Sequence, residues 1–333
     1  MEEIKNKNNF IRIKSKLESL DGTFKEIPVT TGEDGTPIAV AFFDIDKTLA
    51  ELKNIHSNAI KTLFKEVMGK EIEEIPTIYF DGFKLGNSFR EFDRMNGIFV
   101  GKHYDWIDPN IYIKERLNLK MKEIDSEGTE EHKTAQTYID KYDDIVSKIA
   151  EETFKNNPKE FELSKIKPVM ALAKFYNALG VPMFGMTANG KKYVATVAKY
   201  LGLADLFIDI ATDENMIGGG KEIIIPKLIK QLEDKGIKVS KEKLVIVGDS
   251  LYGDIGSGLR YKEGGKEISI KGILVLKDMK ELEEIKNQIT SDSELKNIVK
   301  NTDVEAFILD KVKTGKDGIP SLFSHEKDFL IKL

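Results

Sequence analysis

Two aspartates two residues apart, Asp44 and Asp46, follow the apolar run Ile38-Ala-Val-Ala-Phe-Phe43 and precede Lys47-Thr48. On an extended strand such a pair faces the same way, but at a strand end the chain turns and the two can differ in role. One can act as nucleophile and the other as proton donor if their surroundings separate their pKa values. A second acidic group, Gly248-Asp249-Ser-Leu-Tyr-Gly253-Asp254, follows the run Lys243-Leu-Val-Ile-Val247. With Asp44 these carboxylates make an oxygen-rich site that suits a hard cation, Mg2+ first. Thr187-Ala188-Asn189-Gly190 offers a hydroxyl and backbone N–H groups at a strand-to-helix turn, which makes an anion site. Gly218-Gly-Gly-Lys221 puts an ammonium group on a Gly-rich loop before a helix, where it would offset phosphate charge. Each group also has a plain structural use. Aspartate pairs build acidic turns, Thr and Asn-Gly cap helices, and three glycines make a flexible loop.

The runs before these residues are short and continuously apolar, as strands buried on both faces are. Two further runs of this kind are Val181–Met186 and Leu206–Ala211. Helical patterns lie between them: Pro168–Leu179 stopping at Gly180, Lys191–Leu201, and Pro226–Lys235 with Pro in the first turn and Gly236 beyond the end. Strand and helix in alternation predict an α/β fold with a doubly wound, mainly parallel sheet, whose ligands bind beyond the carboxyl ends of the strands. Asp44, Thr187 and Asp249 all stand at such ends. Ile268–Val275 and Val304–Leu309 are further strand candidates. Residues 1–30 read as a surface helix or a loose arm. Thr31-Gly-Glu-Asp-Gly-Thr-Pro37 and Thr314-Gly-Lys-Asp-Gly-Ile-Pro320 read as two similar hairpin turns.

The stretch 50–164 breaks the alternation. It holds helical patterns at Ser57–Met68 and Thr129–Phe154, an aromatic-rich segment from Tyr79 to Trp106, and one possible strand, Thr77–Phe80. It reads as a mainly helical domain inserted after the first core strand. The core would then comprise residues 1–49 and 165–333.

In order along the chain, Asp-x-Asp-x-Thr, a Thr, a Lys and Gly-Asp followed four residues later by another Asp resemble the haloacid dehalogenase superfamily, over roughly residues 36–49 and 165–280. The resemblance implies a Rossmann-like core. It implies that Asp44 takes a phosphoryl group as an aspartyl phosphate and that Asp46 protonates the leaving oxygen and then activates water. Thr187, with the backbone at Ala188, would hold the phosphoryl oxygens, and Lys221 would neutralise them. Mg2+ would be held by Asp44, Asp249 and the Asp46 backbone carbonyl, with Asp254 supporting that shell. In capped members of the family a Lys commonly sits just before the Pro that opens the helix. Here Lys221 precedes Pro226 by five residues and Lys227 follows it, and Lys221 is the better placed. A helical insertion directly after the nucleophile strand is, in this family, a cap that favours small soluble substrates. Phe83, Lys84, Asn87, Arg90, Arg94, His103 and Trp106 are the cap residues available either for substrate contact or for the cap's own core.

The implied activity is therefore Mg2+-dependent hydrolysis of a small phosphorylated metabolite. The acid at Asp46 argues against a dehalogenase. A phosphomutase and a non-catalytic phosphate-binding protein are the alternatives, and a receiver-like domain would carry no such insertion. Composition narrows the field further. The chain has 333 residues, 41% hydrophobic and 32% charged, enough to bury a core. It has no Cys, which excludes disulfides, thiolate catalysis and iron–sulfur ligation, and its four His show no metal-ligand spacing. A net charge of −5 is not that of a protein that holds nucleic acid by bulk charge. The start lacks a secretory signal and no apolar run would span a bilayer, so the expected location is the cytoplasm. Oligomeric state leaves no trace in the sequence.

Overall fold

The computed structural model describes residues 7–14, 24–33, 35–68, 130–212, 215, 221–239, 244–261, 270–313 and 329–333. The segment Tyr79–Trp106 with its cap residues, the strand candidate Thr77–Phe80, the glycines of the Gly218–Gly220 loop and the string Thr314–Pro320 lie outside the described residues.

Strands β1 (Lys7–Lys14) and β2 (Phe24–Thr31) pair as an antiparallel hairpin. This corrects the reading of residues 1–30 as a surface helix or loose arm. The physical reason is a period of two near its end: Ile27 and Val29 alternate with neighbours and are buried. The β2 end is also tied to the core, since Thr30 N–H donates to the Gly180 carbonyl at 2.9 Å and Ile38 N–H to the Thr30 carbonyl at 3.2 Å. Ile38 is thus spent on this contact and stays partly exposed, and β3 (Val40–Phe43) begins two residues later than the apolar run predicts.

The chain continues through helix α1 (Lys53–Met68), α2 (Glu130–Asn156), α3 (Pro158–Ser164) and α4 (Lys167–Ala178). Then come β4 (Met183–Met186), α5 (Lys191–Leu201), β5 (Asp209–Ala211), α6 (Ile225–Glu233), β6 (Leu244–Gly248) and a short α7 (Gly256–Arg260). The chain ends with β7 (Ile270–Leu276), α8 (Met279–Ser291), α9 (Ser293–Asn301), β8 (Asp303–Ile308) and β9 (Leu330–Lys332). Seven strands form one sheet in the order β5-β4-β3-β6-β7-β8-β9, parallel throughout except for β9, which runs antiparallel to β8.

Both faces of this sheet are covered, and β3 shows how. Ala41 and Phe43 belong to one buried cluster, with Val169, Tyr193, Val197 and Phe207, while Val40 and Phe42 belong to the other, with Leu228, Leu232 and Ile298. Successive side chains of a strand point to opposite faces, so an unbroken apolar run is what a two-sided core requires. The first cluster also takes in Leu52, Ile55 and Ala59 near the start of the insertion and Ile145, Val146, Ala150 and Phe154 near its end.

The chain leaves the sheet after Leu49 and returns at Lys165 at one place. Ala50 bridges Lys165, Glu51 N–H donates to the Ser164 carbonyl at 2.8 Å, and Ile166 N–H donates to the Leu49 carbonyl at 2.9 Å. The departing and returning segments therefore form a hydrogen-bonded neck just beyond Asp44 and Asp46.

Candidate active site at the strand ends

Register decides which side chains meet. Phe43 pairs with Val247 on one side and with Gly185 on the other. Asp44 N–H extends the ladder by donating to the Val247 carbonyl at 2.8 Å, and Thr187 N–H does the same to Ala211 at 3.0 Å. Asp44, Thr187 and Asp249 thus stand within a residue or two of the paired ends of β3, β4 and β6.

Beyond Asp44 the chain reverses tightly. Lys47 adopts φ 62°, the left-handed region, and Leu49 N–H donates to the Ile45 carbonyl at 2.8 Å. This turn aims Thr48 back at the strand end, where its hydroxyl donates to Asp44 Oδ2 at 3.0 Å. Asp44 Oδ1 accepts from Lys221 Nζ at 2.5 Å, and the same ammonium donates to Asp254 Oδ1 at 2.5 Å. Lys221 opens a 3-10 turn, Lys221–Ile223, that leads into α6. Lys227 lies away from the site, its Nζ donating to the Asn215 carbonyl at 3.5 Å.

Asp254 is delivered by a single π turn, Leu251–Ile255, directly after β6. Such turns inside a helical entry commonly mark functional positions. Its Oδ2 accepts from Ser250 N–H at 2.9 Å, and Ser250 Oγ in turn accepts from Gly253 N–H at 2.8 Å. Gly248 is required here, because a Cβ at that position would lie 2.3 Å from Asp254 Oδ2.

Oxygens of Asp44, Asp249 and Asp254 all lie within 4.8 Å of one another. Burial is the main cause that pushes the Asp44 carboxyl up to about 7, with the charges of Asp254 and Asp46 adding to it against the pull of Lys221. Burial, then Asp44 and Asp254, push Asp249 up to about 8. The Lys221 ammonium is held strongly protonated: burial works against its charge, but Asp254 and Asp44 outweigh it. Ionised together, the three carboxylates would outnumber the bridging lysine, and a hard divalent cation bound to their oxygens would offset that charge and displace their protons. The donor set fits Mg2+.

Asp46 lives in different surroundings. Its Oδ1 accepts from the Tyr193 hydroxyl at 2.9 Å and faces His56 Nε2 at 3.3 Å. Its Oδ2 accepts from Asn189 Nδ2 at 2.5 Å and lies 3.5 Å from the Thr187 hydroxyl. His56 Nδ1 meets the Tyr142 hydroxyl at 2.8 Å. Burial alone would raise the Asp46 carboxyl, but the hydrogen bonds from His56 and Tyr193, with the charges of His56 and Lys221, hold it below its usual value. Their surroundings thus separate the two aspartates: burial pushes Asp44 up, and hydrogen bonds with nearby charge pull Asp46 down.

Thr187 is buried and accepts from Asn189 N–H at 3.2 Å and Asn189 Nδ2 at 3.1 Å, while Ala188 is exposed at the opening of the turn. The N-terminus of α5 is capped from the insertion: Asp143 of α2 accepts from Lys192 N–H at 3.0 Å and Tyr193 N–H at 3.1 Å. Gly190 permits this approach, since a Cβ there would lie 2.4 Å from the Asp143 carboxyl.

Sequence reasoning did not find His56, Tyr142, Asp143 or Tyr193 as site residues. Tyr142 sits in the apolar stripe of its helix, His56 has no metal-ligand partner nearby in sequence, and only the fold brings both to Asp46. Asn189 was visible in the turn after β4, but only as a capping residue.

Among the described residues no helix is long and apolar enough to cross a membrane. Comparison with curated proteins gave no match. Among solved structures, the chain resembles β-phosphoglucomutase from Clostridium difficile at 14% identity, with 74% of this chain and 87% of that one covered and a TM-score of 0.46. It resembles a hydrolase from Pseudomonas syringae at 14% identity, covering 74% and 90% with a TM-score of 0.45. A haloacid dehalogenase-like family hydrolase from Streptococcus pneumoniae matches at 15% identity, covering 73% and 86% with a TM-score of 0.43. The family model for haloacid dehalogenase-like hydrolases matches residues 38–260, which run from just before β3 to the end of α7 and span the strand-end carboxylates, Lys221 and the insertion, so the chain belongs to that family.

Proposed function

We propose that the protein is a Mg2+-dependent phosphomonoesterase that hydrolyses a small phosphorylated metabolite through an aspartyl phosphate on Asp44. One observation carries the reading: Asp44, Asp249, Asp254 and Lys221 converge on a single oxygen-rich point beside a second carboxylate, Asp46, that is kept in a separate hydrogen-bonded pocket. A carboxylate approaching a phosphate dianion is repelled unless positive charge is already in place, and Lys221 supplies part of it. Mg2+ held by Asp44, Asp249 and Asp254, with the Asp46 backbone carbonyl, would supply the remainder when bound and favour the ionised form of the nucleophile.

The chain's own residues then divide the work. An Asp44 oxygen attacks phosphorus as the ester P–O bond breaks, and the leaving oxygen takes a proton from Asp46. In the second step a water gives a proton to Asp46 and attacks phosphorus, releasing phosphate and restoring Asp44. Thr187 and the backbone at Ala188 hold the phosphoryl oxygens. Asp46 must gain a proton to act as acid, and an incoming dianion beside it raises its pKa toward that state. The insertion at 50–164 serves as a cap, and the neck at Ala50 and Lys165 is where it would hinge.

The test is hydrolysis of p-nitrophenyl phosphate with Mg2+ and after chelation, paired with mass spectrometry of acid-quenched enzyme. Turnover that requires the metal, with a phosphoryl adduct mapped to Asp44, is the expected result. Turnover indifferent to chelation, or an adduct elsewhere, rejects the reading.

A further inference from the structure

The two oxygens of Asp46 are not equivalent. Oδ1 faces Tyr193, a fully buried side chain of the core helix α5, and His56 of α1 at the start of the insertion. Oδ2 faces Asn189 and Thr187, on the side of the phosphate-site turn. Each oxygen accepts two donors, so position separates them: Oδ1 is turned toward the packed rings of Tyr193 and His56, and Oδ2 toward Thr187, where the phosphoryl group would sit. Tyr142 extends the arrangement. Burial and the nearby negative charges of Asp46 and Asp143 keep its phenol protonated. Its hydroxyl meets His56 Nδ1 at 2.8 Å, and His56 Nε2 faces Oδ1 of Asp46 at 3.3 Å. The rings support this geometry: His56 lies 4.9 Å from Tyr193 and 6.5 Å from Tyr142, centroid to centroid.

We propose that Tyr193 is a positioning residue that, with His56 and Tyr142 behind it, anchors Oδ1 of Asp46 and leaves Oδ2 as the oxygen that passes the proton to the leaving group. This rests on the phosphomonoesterase reading and deepens it. The anchor spans two parts of the molecule, since Tyr193 comes from the core and both His56 and Tyr142 come from the insertion. Aim of the catalytic proton is thereby tied to the docking of α1 and α2 against α5.

The experiment uses two aryl esters that differ in leaving-group basicity, p-nitrophenyl phosphate and phenyl phosphate, with kcat and KM measured separately. Tyr193→Phe keeps the ring and removes only the donor. It is expected to lower kcat for phenyl phosphate about 10- to 30-fold, p-nitrophenyl phosphate about threefold or less, and KM for neither, because only the poorer leaving group depends on an aimed proton. Tyr142→Phe, farther back, shifts kcat in the same direction by a smaller factor. On an Asp46→Ala background, adding Tyr193→Phe changes nothing further. Equal losses for both esters, or a further loss on the Asp46→Ala background, overturn the proposal by giving Tyr193 a general structural role. If the wild type hydrolyses neither ester, the phosphomonoesterase reading fails instead. The anchor itself is then judged by the Asp46 side-chain rotamer in crystal structures of wild type and Tyr193→Phe, which an unanchored Asp46 would leave unchanged.

Discussion

The surroundings of Asp44 and Asp46 differ more than two residues of sequence would suggest. Asp44 sits among formal charges: two further carboxylates and one lysine, delivered by β6, the π turn after it and the turn before α6. Asp46 sits among hydrogen-bonding side chains, Tyr193, Asn189 and Thr187 from the helix and turn after β4 and His56, backed by Tyr142, from α1 and α2. On the proposed reading the first pocket takes a cation and an anion together, and its geometry comes from one sheet. The second, on the proposal above, aims a single carboxyl group, and its geometry draws on α1 and α2 as well as α5. Charge can be tuned by a bound ion, whereas aim depends on packing. The two pockets should therefore fail in different ways when disturbed.

The largest effect belongs to the first pocket. Asp44→Asn removes the proposed nucleophile and one proposed cation ligand and leaves the strand ladder intact, since Asp44 joins it through its backbone N–H. Turnover should fall by about four orders of magnitude or more, with an unchanged circular dichroism spectrum and no phosphoryl adduct. A folded Asp44→Asn protein that still turns over within tenfold of wild type would place the nucleophile elsewhere.

Next in size is the lysine. Lys221→Ala takes away the cation shared by Asp44 and Asp254, and turnover should fall about 100-fold or more, while Lys227→Ala should stay within about twofold. A rise in both KM and the Mg2+ concentration needed for half activity would show whether Lys221 serves substrate, metal or both.

Much of the first pocket was legible before any coordinates. Apolar runs ending in Asp44, Thr187 and Asp249 marked strand ends, and a parallel sheet gathers strand ends on one edge. That Lys221 rather than Lys227 reaches Asp44 follows from the position of a loop. The second pocket was not legible. Helical periodicity places Tyr142 and Tyr193 on inward faces, and Tyr193 is buried and Tyr142 partly so, but it does not reveal which phenol meets a carboxylate. The β1–β2 hairpin was missed because short, mixed-polarity strands with many Lys and Asn look like a loose arm until the partner strand is known. β9 has only three residues and carries no sequence signal of its own.

A smaller effect separates the charged pocket from the rest by pH. Asp44 and Asp249 are raised to about 7 and about 8 from an ordinary 3.8. The folded protein then binds more protons than the unfolded chain between about pH 4 and 8, so this contribution to stability is full at the acid end and is lost as pH rises through that window. With EDTA present, Tm should fall from pH 5 to pH 8. Mg2+ should restore more of it at pH 8 than at pH 5, because cation binding is linked to proton release. A Tm that Mg2+ leaves untouched at both pH values would remove the metal from the pocket.

The smallest effect tests whether aim depends on docking. Asp143 reaches from α2 to cap the first turn of α5, the helix that carries Tyr193. Asp143→Ala should cost about 1 kcal/mol, the usual loss for an N-cap, and lower Tm by a few degrees. The same variant should slow phenyl phosphate more than p-nitrophenyl phosphate, as Tyr193→Phe does, because it loosens the helix that holds the phenol rather than the phenol itself. Gly190→Ala attacks the same joint from the other side, by forcing a Cβ into the Asp143 carboxyl. If both variants lose stability yet slow the two esters equally, the insertion contributes only to folding at this joint, and Asp46 is aimed by the core alone.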